Sequence, residues 1–363
     1  MLLTAVVFFI ILSILVLIHE LGHYMVARFV GVHVEEFGFG LPPMIWGKKI
    51  GKTIYSINWL PIGGFVRLAG EDEEENRKPK SKSLKVKEYF WARSKKERTA
   101  ILLAGVTMNF LLAWGITTYI FTQGIYQQSG KVHVEQVVAG GPAQEAGIRI
   151  NDVVEQAVDA AGDTRIIKTP TDLTSFTNAH RGTLVTLTVM RGTVTFPVNV
   201  TPRKQVPAGQ GPMGIAISDL EQKNYSLQEA PWAAFKETLS RARDMFVGIG
   251  SLIWGLVHLQ PVGADVAGPI GIAAVTGQAV KFGFKAVLEF MSILSLNLAV
   301  LNVLPIPALD GGRVLFVFLE KILGRRIKPA FERQTHQIGM IILLFLVLLI
   351  SIHDILRFAH GQM

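Results

Sequence analysis

His19-Glu20-Leu21-Gly22-His23 sets two imidazoles four residues apart with a carboxylate between them, directly after the apolar run Leu2 to Ile18. On an α-helix, residues four apart lie about one turn apart on the same face, so both rings can converge on a single cation. In the H-E-x-x-H pattern of zinc hydrolases, the histidines hold the metal and the glutamate takes a proton from the attacking water. Ionisable groups at membrane depth cost roughly 2.5 kcal/mol or more each on insertion scales. Three of them within five residues need a partner, which a metal or water can be.

A catalytic zinc takes three protein ligands and leaves one position for water. A longer zinc motif would place a third histidine six residues beyond His23, where Phe29 stands instead. The chain has no cysteine, which excludes disulfides, iron–sulfur clusters and thiolate zinc sites and leaves His, Asp and Glu as ligands. The best candidate is Asp310, in Asn302-Val303-Leu304-Pro305-Ile306-Pro307-Ala308-Leu309-Asp310-Gly311-Gly312. Pro305 and Pro307 interrupt a helix there, and irregular backbone at that depth is tolerable only against protein or a wet cavity.

The elements that must position these groups are mostly membrane spans. The 363 residues are 50% hydrophobic and 18% charged, with a mean hydropathy of +0.37, which fits several spans plus a soluble module. Four segments, 2–24, 100–120, 286–304 and 337–356, match the roughly 20 residues a bilayer requires. The first has neither a positive n-region nor a small-residue cleavage site, so it reads as a retained span rather than a signal peptide. The net charge of +8 is concentrated beside apolar segments, where it sets topology or touches anionic lipid; nucleic-acid binding is not expected. Arg77, Lys78, Lys80, Lys82, Lys85, Lys87, Arg93, Lys95, Lys96 and Arg98 mark the first inter-span segment as cytoplasmic, and Lys321, Arg325, Arg326, Lys328 and Arg333 do the same before the last span. Both termini and residues 121–285 then lie outside, and His19, His23 and Asp310 fall at a similar depth. A fifth apolar segment, Val247 to Leu259, would reverse this order if it crossed, so it is expected as an interfacial or partly buried helix.

Val34-Glu35-Glu36-Phe37-Gly38-Phe39-Gly40 and Thr53-Ile54-Tyr55-Ser56-Ile57-Asn58-Trp59 read as paired strands, ended by Leu60-Pro61-Ile62-Gly63-Gly64-Phe65. The acidic run Glu71 to Glu75 and the basic stretch after it read as a solvated loop, with Tyr89, Phe90 and Trp91 against the membrane surface. In the outer region, Val137-Val138-Ala139-Gly140-Gly141-Pro142-Ala143-Gln144-Glu145-Ala146-Gly147-Ile148 precedes Asn151-Asp152-Val153-Val154, and the later run Leu184 to Val189 alternates. This part resembles a bacterial PDZ domain, with Asn151 at the position of the usual glycine. Asn tolerates the left-handed turn conformation, so the departure is mild. A PDZ fold implies a sheet edge to which an extended peptide ligand can add.

Taken together, the H-E-x-x-H and the later Leu309-Asp310-Gly311 resemble the site-two protease family of intramembrane zinc metalloproteases, in its bacterial RseP-like branch, here with one PDZ domain. The resemblance implies a Zn2+ site of His19, His23 and Asp310 with Glu20 as general base. It also implies a membrane re-entrant β-hairpin bearing Gly38, Phe39, Gly40, Gly63 and Gly64, and a substrate-side role for Asn302, with Asn109 a weaker match. The implied fold is a polytopic α-helical membrane protein of four transmembrane helices with that hairpin and an inserted extracytoplasmic PDZ domain. Its expected division is a first span over 1–27, a cytoplasmic region with hairpin and basic loop over 28–99, a second span over 100–120 and a PDZ domain over 128–205. An extracytoplasmic linker with the interfacial helix follows over 206–285, then a third transmembrane segment with the Asp-Gly-Gly motif over 286–322 and a fourth span over 336–357. The implied activity is cleavage of single-span membrane proteins, such as anti-sigma factors or signal-peptide remnants, in the bacterial cytoplasmic membrane. A membrane metal transporter and an inactive PDZ-bearing scaffold are the competing classes.

Overall fold

The computed structural model describes residues 2–71, 84–258 and 268–359. The chain divides into two compact units, Met1–Thr122 with Ser226–Met363, and Gln123–Tyr225. In the first unit, α1 (Leu2–Phe29) leads into the strands β1 (Val34–Ile50) and β2 (Thr53–Leu68), two 3-10 turns and α2 (Lys95–Thr122). The second unit runs β3 (Ile125–Val137), α3 (Pro142–Glu145), β4 (Val153–Val158), β5 (Thr164–Ile166), α4 (Pro170–Ala179), β6 (Val185–Arg191), β7 (Val194–Val200) and β8 (Ile215–Lys223). The first unit then resumes with α5 (Ala230–Val257), α6 (Pro269–Phe282), α7 (Phe284–Val303), α8 (Asp310–Leu323) and α9 (Pro329–Ala359).

Among the described residues, four helices, α1, α2, α7 and α9, are long and apolar enough to cross a membrane. Their inward faces are small or polar as often as large: Ala113, Ala242, Leu296 and Val300 form one cluster where α2, α5 and α7 meet. Lipid tails are as apolar as leucine, so close approach and buried hydrogen bonds hold such helices together. Ser292 Oγ donates to the Ala113 carbonyl at 3.1 Å and Ser295 Oγ to the Asn109 carbonyl at 2.8 Å, tying α7 to α2. Arg98 of α2 donates to the Glu320 carboxylate of α8 at 2.7 Å, both side chains being buried.

Several expectations are revised. The helix placed at Val247 starts instead at Ala230, because Ser226 and Glu229 cap its start reciprocally: Ser226 Oγ donates to Glu229 at 2.8 Å and the Glu229 N–H returns to Ser226 Oγ at 3.3 Å. Leu259, the acidic run beyond Glu71, and Arg77, Lys78, Lys80 and Lys82 lie outside the described residues. Tyr89 and Phe90 do not face a membrane surface; both are buried, because the Phe90 N–H donates to the Ala69 carbonyl and the His33 N–H to the Glu88 carbonyl, folding this segment onto the strands. The segment 286–322 is two helices, α7 and α8, separated by the loop 304–309 where Pro305 and Pro307 were expected to interrupt it.

The paired strands are longer than their sequence pattern. Glu36 to Phe39 register with Ile54 to Ile57 and also with Gly64 to Arg67, while Trp46 to Ile50 pair with Thr53 to Ile57. Both strands therefore fold over on themselves, with repeated register shifts rather than a simple ladder.

The second unit follows soluble-protein rules. Its antiparallel sheet has the order β7-β6-β4-β3-β8, with β5 on β4. In β6, Val185, Leu187 and Val189 point into a core with Val132, Val154, Leu173 and Met213, while Thr186 and Thr188 face away. Pro142 opens α3, and Asn151 takes φ 70°, the left-handed geometry expected of it. Because β8 pairs along β3, the unit continues to Tyr225, twenty residues past the boundary expected at 205.

Asp152 anchors this unit. Its buried carboxylate accepts from Arg191 Nε and Nη2, both at 2.7 Å, and from the Arg149 N–H at 2.8 Å. Burial alone would raise its pKa, but Arg191 and the Arg149 N–H outweigh that and hold it below the ordinary carboxylate value. A group depressed in this way stabilises the fold above its unfolded pKa of about 3.9, and that contribution is lost as pH falls through the folded value. A fragment spanning 123–225 is therefore expected to weaken as pH drops from 5 to below 3. Arg191→Met, which removes both side-chain donors to the Asp152 carboxylate, should lower stability at pH 7 and lose less on acidification than wild type. Urea unfolding followed by circular dichroism at both pH values checks the pair.

Candidate active site

The donor atoms of His19, His23 and Asp310 all lie within 4.8 Å of one another. His19 Nε2 stands 3.1 Å from His23 Nε2 and 2.9 Å from Asp310 Oδ2, and His23 Nε2 stands 3.4 Å from the same oxygen. Both rings are buried. His23 Nδ1 donates to the Ile101 carbonyl at 2.8 Å; a carbonyl only accepts, so Nδ1 carries the proton and Nε2 of the neutral ring presents a lone pair. That lone pair points at a second imidazole nitrogen and a carboxylate, a crowding that a cation relieves. Ligands 2.0–2.2 Å from a tetrahedral zinc are about 3.3 Å apart, and the three separations here straddle that value. The donor set therefore fits zinc with a position left for water.

Each donor is held by packing that its own helix does not supply. Gly22, between the two histidines, lets α1 lie against α2: a Cβ there would stand 2.4 Å from the Ala104 carbonyl oxygen. Gly105 does the same from the other side, since its Cβ would fall 2.5 Å from His23 Nε2 and 2.6 Å from His19 Cε1. Asp310 opens α8, whose first turn folds back on the end of α7 so tightly that a Cβ on Gly311 would meet the Leu304 oxygen at 2.2 Å and one on Gly312 the Ile306 oxygen at 2.4 Å. Ala308 takes φ 81° in the preceding loop, and its N–H donates to His336 Nδ1 of α9 at 2.9 Å. At its far end α8 is pinned by Arg98 and by Lys95 Nζ donating to the Glu320 carbonyl at 2.9 Å.

Glu20, adjacent to His19, accepts from the Val66 N–H of β2 at 3.0 Å. The strands reach this position because Gly63 lies against Val16 and Gly64 against Leu17, with a Gly64 Cβ falling 2.9 Å from the Gly38 oxygen. Gly38, Phe39 and Gly40 sit in β1, Phe39 registering with Gly64. Asn302 is half-buried on the last turn of α7. Among the described residues neither Asn302 nor Gly38 to Gly40 hydrogen-bonds to the three donors. Asn109 does reach them, its fully buried amide lying 3.4 Å from His19 Nδ1. The Ile101 carbonyl and the Val66 N–H were beyond sequence reading, because backbone groups carry no residue signature. Gly105 left one faint sign, the small pair Ala104-Gly105 inside an apolar span.

The model of peptidase family M50 matches residues 7–346. The chain belongs to peptidase family M50. It is similar to a candidate zinc metalloprotease of Clostridium perfringens, 34% identical over 346 residues that cover 95% of this chain and 96% of that one. A candidate zinc metalloprotease of Rickettsia conorii is 32% identical over 369 residues, covering 96% and 97%. The regulator of sigma-W protease RasP of Bacillus subtilis is 28% identical over 427 residues, covering 98% of each chain. This M50 member is an intramembrane zinc metalloprotease, the peptidase among the three classes the sequence left open.

Gly105→Ala is expected to lower proteolysis of a single-span model substrate about 100-fold by displacing both imidazoles, although it removes no polar group. Gly115→Ala, on the same helix where a Cβ meets nothing within 4 Å, should leave the rate unchanged. Initial rates in detergent for the two variants check this.

Proposed function

We propose that His19, His23 and Asp310 hold the catalytic zinc, that Glu20 is the general base, and that the substrate is a single-span membrane protein cut within its span. The observation that carries this is the convergence of two imidazole nitrogens and a carboxylate oxygen beside a glutamate, in helices apolar enough to cross a bilayer. Zinc, when bound, polarises the scissile carbonyl and lowers the pKa of water toward about 7. The Val66 N–H holds one Glu20 oxygen, leaving the other to take the proton from the attacking water and deliver it to the leaving amine.

A peptide bond inside a transmembrane helix is shielded by its own hydrogen bonds, so the substrate must unwind and lie extended at the metal. The folded strands β1 and β2, read as the re-entrant hairpin with Gly38 to Gly40 and Gly63-Gly64, offer a polar backbone beside Glu20 for that extended segment. Asn302, eight residues before Asp310, is assigned to the substrate side of the same space. The Gln123–Tyr225 unit is read as the PDZ domain that gates entry or binds a peptide end; its antiparallel sheet and the Pro142 and Asn151 geometry support this. The Bacillus subtilis relative's name as regulator of sigma-W protease supports anti-sigma-type substrates. The positive charge flanking α1, α2 and α9 supports a bacterial cytoplasmic membrane with both termini and the PDZ domain outside and anionic lipid as a surface partner.

Glu20→Gln is expected to retain one zinc per chain while cleavage of a model single-span substrate falls 10² to 10⁴-fold, about the range of general-base catalysis. Metal content and cleavage measured on the same preparation decide it: a variant that still cuts at the wild-type rate removes Glu20 from the mechanism.

A further inference from the structure

His19 and His23 differ in what holds their outward nitrogens. For an imidazole to present Nε2 to a metal, its Nδ1 must carry the proton and donate it to an acceptor, which sets the tautomer and the ring orientation. His23 meets this requirement through the Ile101 carbonyl at 2.8 Å. Among the described residues the Nδ1 of His19 meets only the side-chain amide of Asn109, whose Nδ2 stands 3.4 Å away, and two N–H groups cannot bond to each other. The Asn109 side-chain oxygen is meanwhile buried with no hydrogen-bond partner among the described residues. A half-turn about the terminal amide torsion exchanges the two atoms, which are nearly identical in shape, and puts that oxygen on His19 Nδ1.

We propose that Asn109 is a positioning residue for the zinc site: its side-chain oxygen accepts the His19 Nδ1 proton and so commits Nε2 to the metal. The assignment rests on the zinc site proposed above. The opposite amide orientation suits the other tautomer, in which His19 Nε2 carries the proton and donates to Asp310 at 2.9 Å, so the amide serves both the loaded and the empty site. Asn109 is also well fixed for this task. It is wholly buried, and the hydrogen bond from Ser295 of α7 holds its backbone carbonyl, with a second from Ser292 one turn further on at Ala113. Both histidines are then oriented from one helix, α2, by acceptors eight residues apart.

The test measures zinc affinity of the full chain in detergent by competition with a chromogenic chelator, together with thermal unfolding of the metal-free protein. Asn109→Leu, similar in size but without an acceptor, is expected to weaken zinc binding about 10 to 100-fold, the usual effect of losing a ligand's outer partner. Asn109→Asp keeps an acceptor whether or not it is ionised and should bind within about threefold of wild type. Purely structural packing would instead weaken both variants alike, in step with their melting temperatures, and that result overturns the proposal. So does Asn109→Leu binding zinc as tightly as wild type while His23→Ala does not. If His23→Ala also leaves affinity unchanged, the zinc site itself is misplaced and both assignments fall together.

Discussion

Two imidazole nitrogens and a carboxylate oxygen that lie 2.9 to 3.4 Å apart must share either a proton or a cation. Several contacts in the helical unit hold those groups together. Glycines bring backbones close enough that rings from one helix lie against the next. Arg98 and Glu320, a buried pair, hold the far end of the helix that Asp310 opens.

The backbone is as much a part of this site as the side chains. The Ile101 carbonyl orients His23, the Val66 N–H orients Glu20, and the carbonyls of Val303, Leu304 and Ile306 define the floor on which Gly311 and Gly312 rest. In a low-dielectric interior such groups must find partners, and here the partners they find are His23 and Glu20 of the candidate site. A membrane enzyme can therefore draw its outer shell of interactions from the same bonds that satisfy its irregular segments.

The two units solve the folding problem differently. The Gln123–Tyr225 unit buries alternating valines and leucines and anchors one carboxylate with a bidentate arginine, as a water-soluble domain does. The helical unit has little to gain from apolar contact within lipid and relies on small residues, serine hydroxyls and the buried Arg98–Glu320 pair instead. This contrast explains why α5 and the strand pair were harder to delimit than the sheet. Their boundaries depend on a cap at Ser226 and on register shifts in β1 and β2, neither of which periodicity reports.

Local pattern by itself determined the four apolar helices, the one-turn spacing of His19 and His23, the break at Pro305 and Pro307 and the left-handed turn at Asn151, and it offered Asp310 as a candidate partner. These are legible because helical and strand periods, turn preferences and ligand chemistry act over a few residues. Tertiary structure alone decided that Asp310 meets His19 and His23, that α2 lines the site with Gly105 and Asn109, that Val66 meets Glu20, and that Tyr89 and Phe90 are buried. Those outcomes join residues from 21 positions apart, Ala69 and Phe90, to 291 apart, His19 and Asp310, and at such separations only the packing of whole elements selects which groups meet.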